Sequence, residues 1–296
     1  MDPIATHAPD FFHDDPAEST KAIARSFWNR ALTSLCVGLS LLTLVPLVSI
    51  VWLVLKNGLP LLTWSLFTQL PPAAGMVGGG FGNAVLGTLV MVGLGLAMSA
   101  PIGILSAIYI NEYTPAGHLA RAVRIVAKLL TGIPSIICGV FAFAMVVAAS
   151  GTFSAYAGGV ALAVLMLPTI LLTSEQALMG VQSAHREASY GLGATKFQTI
   201  VRIVLPDALP AIMTGIMLAV ARAAGETAPL IFTALFSQFW AKSLSEPTAS
   251  LSVLIYNFST VPFPHQIQMA WTASLVLVAF VTLANITAQL AFSKKH

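Results

Sequence analysis

Long stretches without a single charged residue constrain this chain more than any other feature. A helix needs about 20 mostly apolar residues to cross the hydrocarbon of a bilayer, and six stretches qualify. Ala31 to Leu55 is the first, closed by Lys56. Asn57 to Asn111 is also uncharged, but its first part, with Pro71, Pro72 and the run Gly78-Gly79-Gly80, reads as loop. The second span is therefore expected over about 83–110. Leu129 to Ser174 holds 46 uncharged residues, enough for two helices turned at Ser150-Gly151-Thr152, over about 129–149 and 153–174. The fifth and sixth spans are expected at about 208–236 and 269–292. Only 8% of residues are charged and 57% are hydrophobic, against about 25% charged in an ordinary soluble domain. That leaves too little polar surface to face water, which excludes a soluble enzyme, a disordered chain and a nucleic-acid binder. The expected fold is all-α: a polytopic protein of the lipid bilayer with six transmembrane helices.

Lysine and arginine set the orientation. One face would collect Lys21, Arg25, Arg30, Arg121, Arg124, Lys128, Arg186, Lys196, Arg202, Lys294 and Lys295; the other holds only Lys56 and Lys242. Both termini are therefore expected in the cytoplasm. Residues 1–27, with Asp2, Asp10, Asp14, Asp15 and Glu18, are expected to form an acidic tail without order, and 28–296 the transmembrane domain. No cleavable signal is expected, because the first apolar run follows a polar leader and is too long for a signal sequence. Cys36 and Cys138 lie in apolar runs and read as small buried residues rather than a disulfide.

Several smaller patterns complete the reading. Gly93 with Ala97, and Gly95 with Ser99, give the small-residue spacing that lets membrane helices approach closely. Pro101, Pro134, Pro168 and Pro229 interrupt or kink spans, and Trp52, Trp64 and Trp240 fall near the expected outer boundary. The histidines show no metal-ligand spacing. No Gly-x-x-x-x-Gly-Lys sequence followed by Ser or Thr occurs, and the Gly78-Gly79-Gly80-Phe81-Gly82 run lacks the lysine. Neither a metal nor a cofactor is expected, and the chain is not expected to hydrolyse ATP.

Two features exceed what spanning requires. The longest connection on the basic face, about 175–207, is amphipathic. Ala177, Leu178, Val181 and Ala184 recur at helical spacing, and after Gly191 and Gly193 a second stripe follows of Phe197, Ile200, Val201 and Val204. A short helix, a glycine turn and another short helix broken by Pro206 are expected, either lying on the headgroups or forming a docking surface for a partner protein. The second feature is Arg222 with Glu226 inside the fifth span. Charges at that depth cost several kcal/mol, and an i to i+4 spacing lets the two neutralise each other on one helical face. From the residues alone they are an internal ion pair holding helices in register or part of an ion path.

The loop carries a resemblance. Glu187-Ala188-Ser189, three residues, Gly193, nine residues, then Ile203-Val204-Leu205-Pro206 is similar to the EAA loop of ABC-importer permeases, departing only at Ser189, where the pattern has Ala. The stretch Ala221-Arg222-Ala223-Ala224-Gly225-Glu226-Thr227-Ala228-Pro229-Leu230, with Gly132-Ile133-Pro134-Ser135-Ile136 and Ile108-Tyr109-Ile110-Asn111-Glu112-Tyr113, resembles the A-type permease subunit of phosphate ABC importers. The resemblance covers about residues 30–292. It implies a type I importer permease fold in a bacterial plasma (inner) membrane, not an enzyme, and a substrate path at Arg222, Glu226 and Thr227. It also implies that Glu187, Ala188, Ser189, Gly193, Ile203, Leu205 and Pro206 couple the chain to an ATPase. The implied partners are a C-type phosphate permease, two ATP-binding cassette subunits, an extracytoplasmic phosphate-binding protein and inorganic phosphate. A permease for another oxyanion or small solute, and a sensor or scaffold in phosphate signalling, remain alternatives at this stage.

Overall fold

A computed structural model describes residues 16–292, and every regular element among them is helical. Asp2, Asp10, Asp14 and Asp15 of the acidic leader, and Lys294 and Lys295, lie outside the described residues. The chain divides into two units, 1–53 and 54–296.

The first unit is built on α1 (Pro16–Gly58), whose last residues belong to the second. Residues 28–53 expose their side chains throughout, as an apolar helix made for lipid does. The helix reaches back over residues 16–27, which polarity alone assigned to the tail. Pro16 suits a first helical turn, where its missing N–H is not needed. The Ala, Glu, Lys and Arg residues that follow favour helix.

In the second unit, α2 (Ser65–Thr68) lies in the loop before α3 (Gly82–Ile108), which runs on into a π-helical turn, Tyr109–Tyr113. α4 (His118–Thr131) is amphipathic and meets the next segment, Ser135–Ser150, at a 105° bend. That segment comprises α5 (Ser135–Ala142), a π turn over Phe143–Val147 and α6 (Ala148–Ser150). The turn expected next is present, with Gly151 in the left-handed region at φ 72°. α7 (Ala155–Met179) follows, its first turn capped by Ser154, whose hydroxyl accepts from the Ala157 N–H. α8 (Ser183–Gly191) and α9 (Lys196–Thr199) lead through a third π turn, Ile200–Val204, into α10 (Leu205–Gly225). Two short helices, α11 (Ala228–Thr233) and α12 (Leu251–Ser259), precede α13 (Pro264–Phe292).

Among the described residues five helices are long and apolar enough to cross a bilayer, and the bent pair around Pro134 brings the number to six when counted as one span. Pro134 and Pro229 each stand where one helix stops and another starts, whereas Pro101 and Pro168 lie inside α3 and α7. The fifth span departs from expectation: its helix ends at Gly225 rather than near 236. Pro206 does not end the preceding segment either, since Lys196–Gly225 forms one spanning element. Proline is tolerated in the first turn of α10. The carbonyls it leaves without a donor belong to Val201 or Arg202, both exposed.

Lipid offers helices little hydrophobic reason to associate, so close backbone approach decides packing. The α3–α7 seam is a glycine stripe. A Cβ on Gly95, Gly103 or Gly159 would lie 3.1, 2.9 or 2.7 Å from Leu162, Ile170 or Leu94 respectively. Ser99 is buried in the same stripe, while Gly93 and Ala97 are exposed and take no part in it. A tighter contact holds α3 against the segment leading into α12, where a Cβ on Gly87 would fall 2.0 Å from the Ala249 carbonyl oxygen. Gly87→Leu is therefore expected to lower the thermal midpoint of the detergent-solubilised protein, at an overpacking cost of about 1–3 kcal/mol. Gly93→Ala, facing open space, should leave the midpoint in place. Equal midpoints for the two variants would contradict this packing.

Candidate functional site

The loop over 175–207 forms a compact knot at the basic end of the second unit. Glu187 and Ala188 are exposed on α8, whereas Ser189 is buried and its hydroxyl shares a 2.9 Å hydrogen bond with that of Thr199. The serine that departs from the Ala pattern thus gains a partner inside the loop instead of leaving a buried hydroxyl unpaired. Gly193 turns the chain at φ 83°, a conformation that strains other residues. Thr195 then starts α9 with a capping box: its hydroxyl accepts from the Gln198 N–H, and Gln198 Oε1 accepts from the Thr195 N–H. Around this turn Leu192 is 90% exposed and Phe197 67%. Ile203 is exposed, Leu205 is half-buried, and Pro206 is exposed at the start of α10.

Arg222 lies 17 residues beyond Leu205, about 25 Å farther along the helix. Its Nε stands 3.5 Å from Glu226 Oε1, with side-chain exposures of 44% and 16%. The pair exists, but not on a helical face as the spacing suggested. The helix stops at Gly225, and Glu226 follows in extended backbone at φ −72°, ψ 127°. Thr227 then begins α11, its carbonyl accepting from the N–H groups of Leu230 and Ile231 while its side chain makes no capping bond.

A polar scaffold holds this break in place, and sequence reasoning missed it. Thr88 and Ser252 are 3% and 4% exposed. The Ser252 hydroxyl donates to the Glu226 carbonyl at 2.8 Å. Its proton is thereby spent, so Ser250 must be the donor in the 3.1 Å contact between the two hydroxyls. Ser250 also accepts from the Val253 N–H, capping α12. On α3, Thr88 gives its proton to the Ala84 carbonyl and accepts from the Leu251 N–H at 2.9 Å. Gly87 beside it lets the approaching backbone lie against α3. On the other side, a Cβ at Gly139 of α5 would stand 2.6 Å from Pro229 Cα, so α11 is held by close backbone packing as well. A spanning helix interrupted at membrane depth must find new partners for its freed backbone groups, and these hydroxyls supply part of them.

The profile of the family described as "Binding-protein-dependent transport system inner membrane component" matches residues 99–294, which include α8–α10 and the Arg222 break. The phosphate transport system permease protein PstA of Yersinia pestis is 37% identical over 272 residues, covering 90% of this chain and 92% of that protein. The chain belongs to the PstA family of phosphate transport system permeases. The Haemophilus influenzae PstA is 36% identical, covering 92% of this chain and 97% of that protein. A probable PstA of the archaeon Methanocaldococcus jannaschii is 34% identical over 81% of this chain and 85% of its own length. Among solved structures, a chain of a bacterial ABC transporter importing the acidic polysaccharide alginate superposes with TM-score 0.61 at 19% identity, covering 94% of this chain and all of that one. The inward-facing MetNI methionine ABC transporter gives 0.56 at 21% identity, over 71% of this chain and 91% of that one. At such identities the likeness is one of fold, that of an ABC importer permease. PstA-family membership makes the chain a multi-pass membrane permease subunit rather than an enzyme.

Proposed function

We propose that this chain is the A-type membrane subunit of an ATP-driven phosphate importer in a bacterial plasma membrane. In this reading it pairs with a C-type permease and couples to two ATP-binding cassette subunits through the 175–207 segment. It receives phosphate from an extracytoplasmic binding protein, and both its termini lie in the cytoplasm. The observation that carries the proposal is the interrupted span at Arg222, Glu226 and Thr227, in a chain 37% identical to a PstA over nine-tenths of its length.

Phosphate carries one or two negative charges and cannot enter hydrocarbon unaided. A guanidinium presents planar donors that match phosphate oxygens. The contact between Arg222 and Glu226 runs from Nε at 3.5 Å, long for a hydrogen bond. At that distance Glu226 can compete with phosphate for the guanidinium, keeping the site shallow enough for release, as transit requires. The 44% exposure of Arg222 bears on the partner. A charge at this depth faces a bundle interior or a wet cavity, not lipid, so a second permease on this face completes the path.

The test is reconstitution of the chain with its permease partner and ATPase in ATP-loaded liposomes, the binding protein outside. Labelled phosphate should accumulate and labelled sulfate should not. Sulfate uptake without phosphate uptake would reassign the substrate to another oxyanion. No uptake of either by an assembled, ATP-hydrolysing complex would favour the sensor or scaffold reading.

A further inference from the structure

Two carboxylates at the basic end are almost fully out of solvent: the side chains of Glu112 and Glu175 are 7% and 4% exposed. Carboxylates are rarely so buried unless paired, and each receives one arginine. Arg186, on α8 beside Glu187, donates from Nη2 to Glu112 Oε1 at 2.9 Å and to the Leu178 carbonyl at 2.9 Å, and from Nη1 to the Val181 carbonyl at 2.7 Å. Arg124, on α4, pairs through Nε with Glu175 of α7. Its Nη1 reaches the Pro115 carbonyl at 3.0 Å and its Nη2 the Ile110 carbonyl at 3.2 Å. Asn111 donates to the same Glu112 oxygen at 2.9 Å, and Lys196 of α9 sits 5.0 Å above the Tyr113 ring.

Both guanidiniums therefore converge on the same two places: the π turn that ends α3 (Ile110, Glu112) and the end of α7 (Glu175, Leu178). We propose that Arg186 and Arg124, with Glu112 and Glu175, are positioning residues. Arg186 welds α8 to the ends of α3 and α7, and Arg124 ties α4 to the same two ends, so that a displacement imposed on α8 moves the spans instead of bending the loop. The proposal rests on the reading of 175–207 as the segment that engages the ATPase. A guanidinium suits the role because its donors are fixed in a plane and hold several acceptors in one geometry. The last carbonyls of a helix are the acceptors that lack internal partners. Arg121, Lys128 and Arg202 at the same end are exposed, so general basicity does not account for the arrangement.

The experiment uses the complete importer in ATP-loaded liposomes, reading ATPase copurification, ATP hydrolysis and phosphate transported per ATP consumed. Arg186→Gln and Glu112→Gln should retain the ATPase yet lower the phosphate-to-ATP ratio about tenfold, within the range expected when a coupling network is cut. The double variant should be no worse than either single one, since both remove the same link. Arg186→Lys, which keeps the charge but loses the fork, should also fall below the Lys128→Ala control, and it decides the matter if the Gln variants do not assemble. A ratio matching Lys128→Ala, or uptake and hydrolysis falling together at constant ratio, would overturn the proposal and leave the residues a purely structural part. Glu187→Lys runs in parallel. If it keeps both the bound ATPase and the ratio, the coupling reading itself fails, whatever the Arg186 variants show.

Discussion

An importer carrying Arg222→Ala should take up labelled phosphate about 100-fold more slowly than the parent, the scale set by losing charge-assisted hydrogen bonds of roughly 1.5–3 kcal/mol. Arg222→Lys should fall between the two, because an ammonium supplies the charge without the planar pair of donors. Glu226→Gln should behave differently. Without the carboxylate competing for the guanidinium, phosphate should be held longer, and turnover should fall while the complex stays assembled. The measurement is initial uptake in ATP-loaded proteoliposomes, with ATPase copurification as the check on assembly. If Arg222→Ala transports normally, the guanidinium is not in the path. If instead the pair only holds helices in register, both variants should lower the thermal midpoint and change uptake only in proportion to the protein lost.

The second large effect is expected at the other end of the same element. Glu187 is exposed on α8 next to the small, exposed Ala188, while the turn beyond presents Leu192 and Phe197 to solvent. Such a surface offers one anion and an apolar knob. Reversing the charge with Glu187→Lys places like charges together where the partner is basic, a mismatch costing several kcal/mol, so affinity should drop about 100-fold or more. The ATPase should then be lost on copurification from membranes, and ATP-driven flux should fall to background. Undiminished flux would defeat the assignment of this segment to coupling.

The number of spans was legible because charge is excluded from hydrocarbon, but uncharged runs did not show the bend at Pro134 or the end of the fifth helix at Gly225. The turn at Gly193 and the stripe that follows it were legible, and the structure has a left-handed Gly193 and α9 there; the first stripe misled, because Ala177 and Leu178 belong to α7 and only Ala184 lies on α8. The Arg222–Glu226 proximity was legible too, but for a different geometric reason than the one that held. A four-residue spacing inside an apolar run reads as one helical face, whereas the chain leaves the helix at Gly225. Gly225, then Thr227 with Pro229 two residues later, is a stop-and-restart signal that could have shown it. The short α12 was invisible to a search for lengths of about 20 residues. The scaffold of Thr88, Ser250 and Ser252, and the Arg124–Glu175 and Arg186–Glu112 pairs, join residues distant in the chain. Periodicity in a single sequence carries no information about such pairings.

The π turn at Ile200–Val204 interrupts the element that runs from Lys196 to Gly225. One additional residue per turn advances the angular phase of everything after it by about 100°. A helical wheel drawn through all thirty residues therefore assigns the wrong azimuth to one side or the other. Phe197 and Arg222, the two ends of this shaft, point where they do because of a quarter-turn offset between them, and a continuous α-helix of identical composition would aim one of them elsewhere.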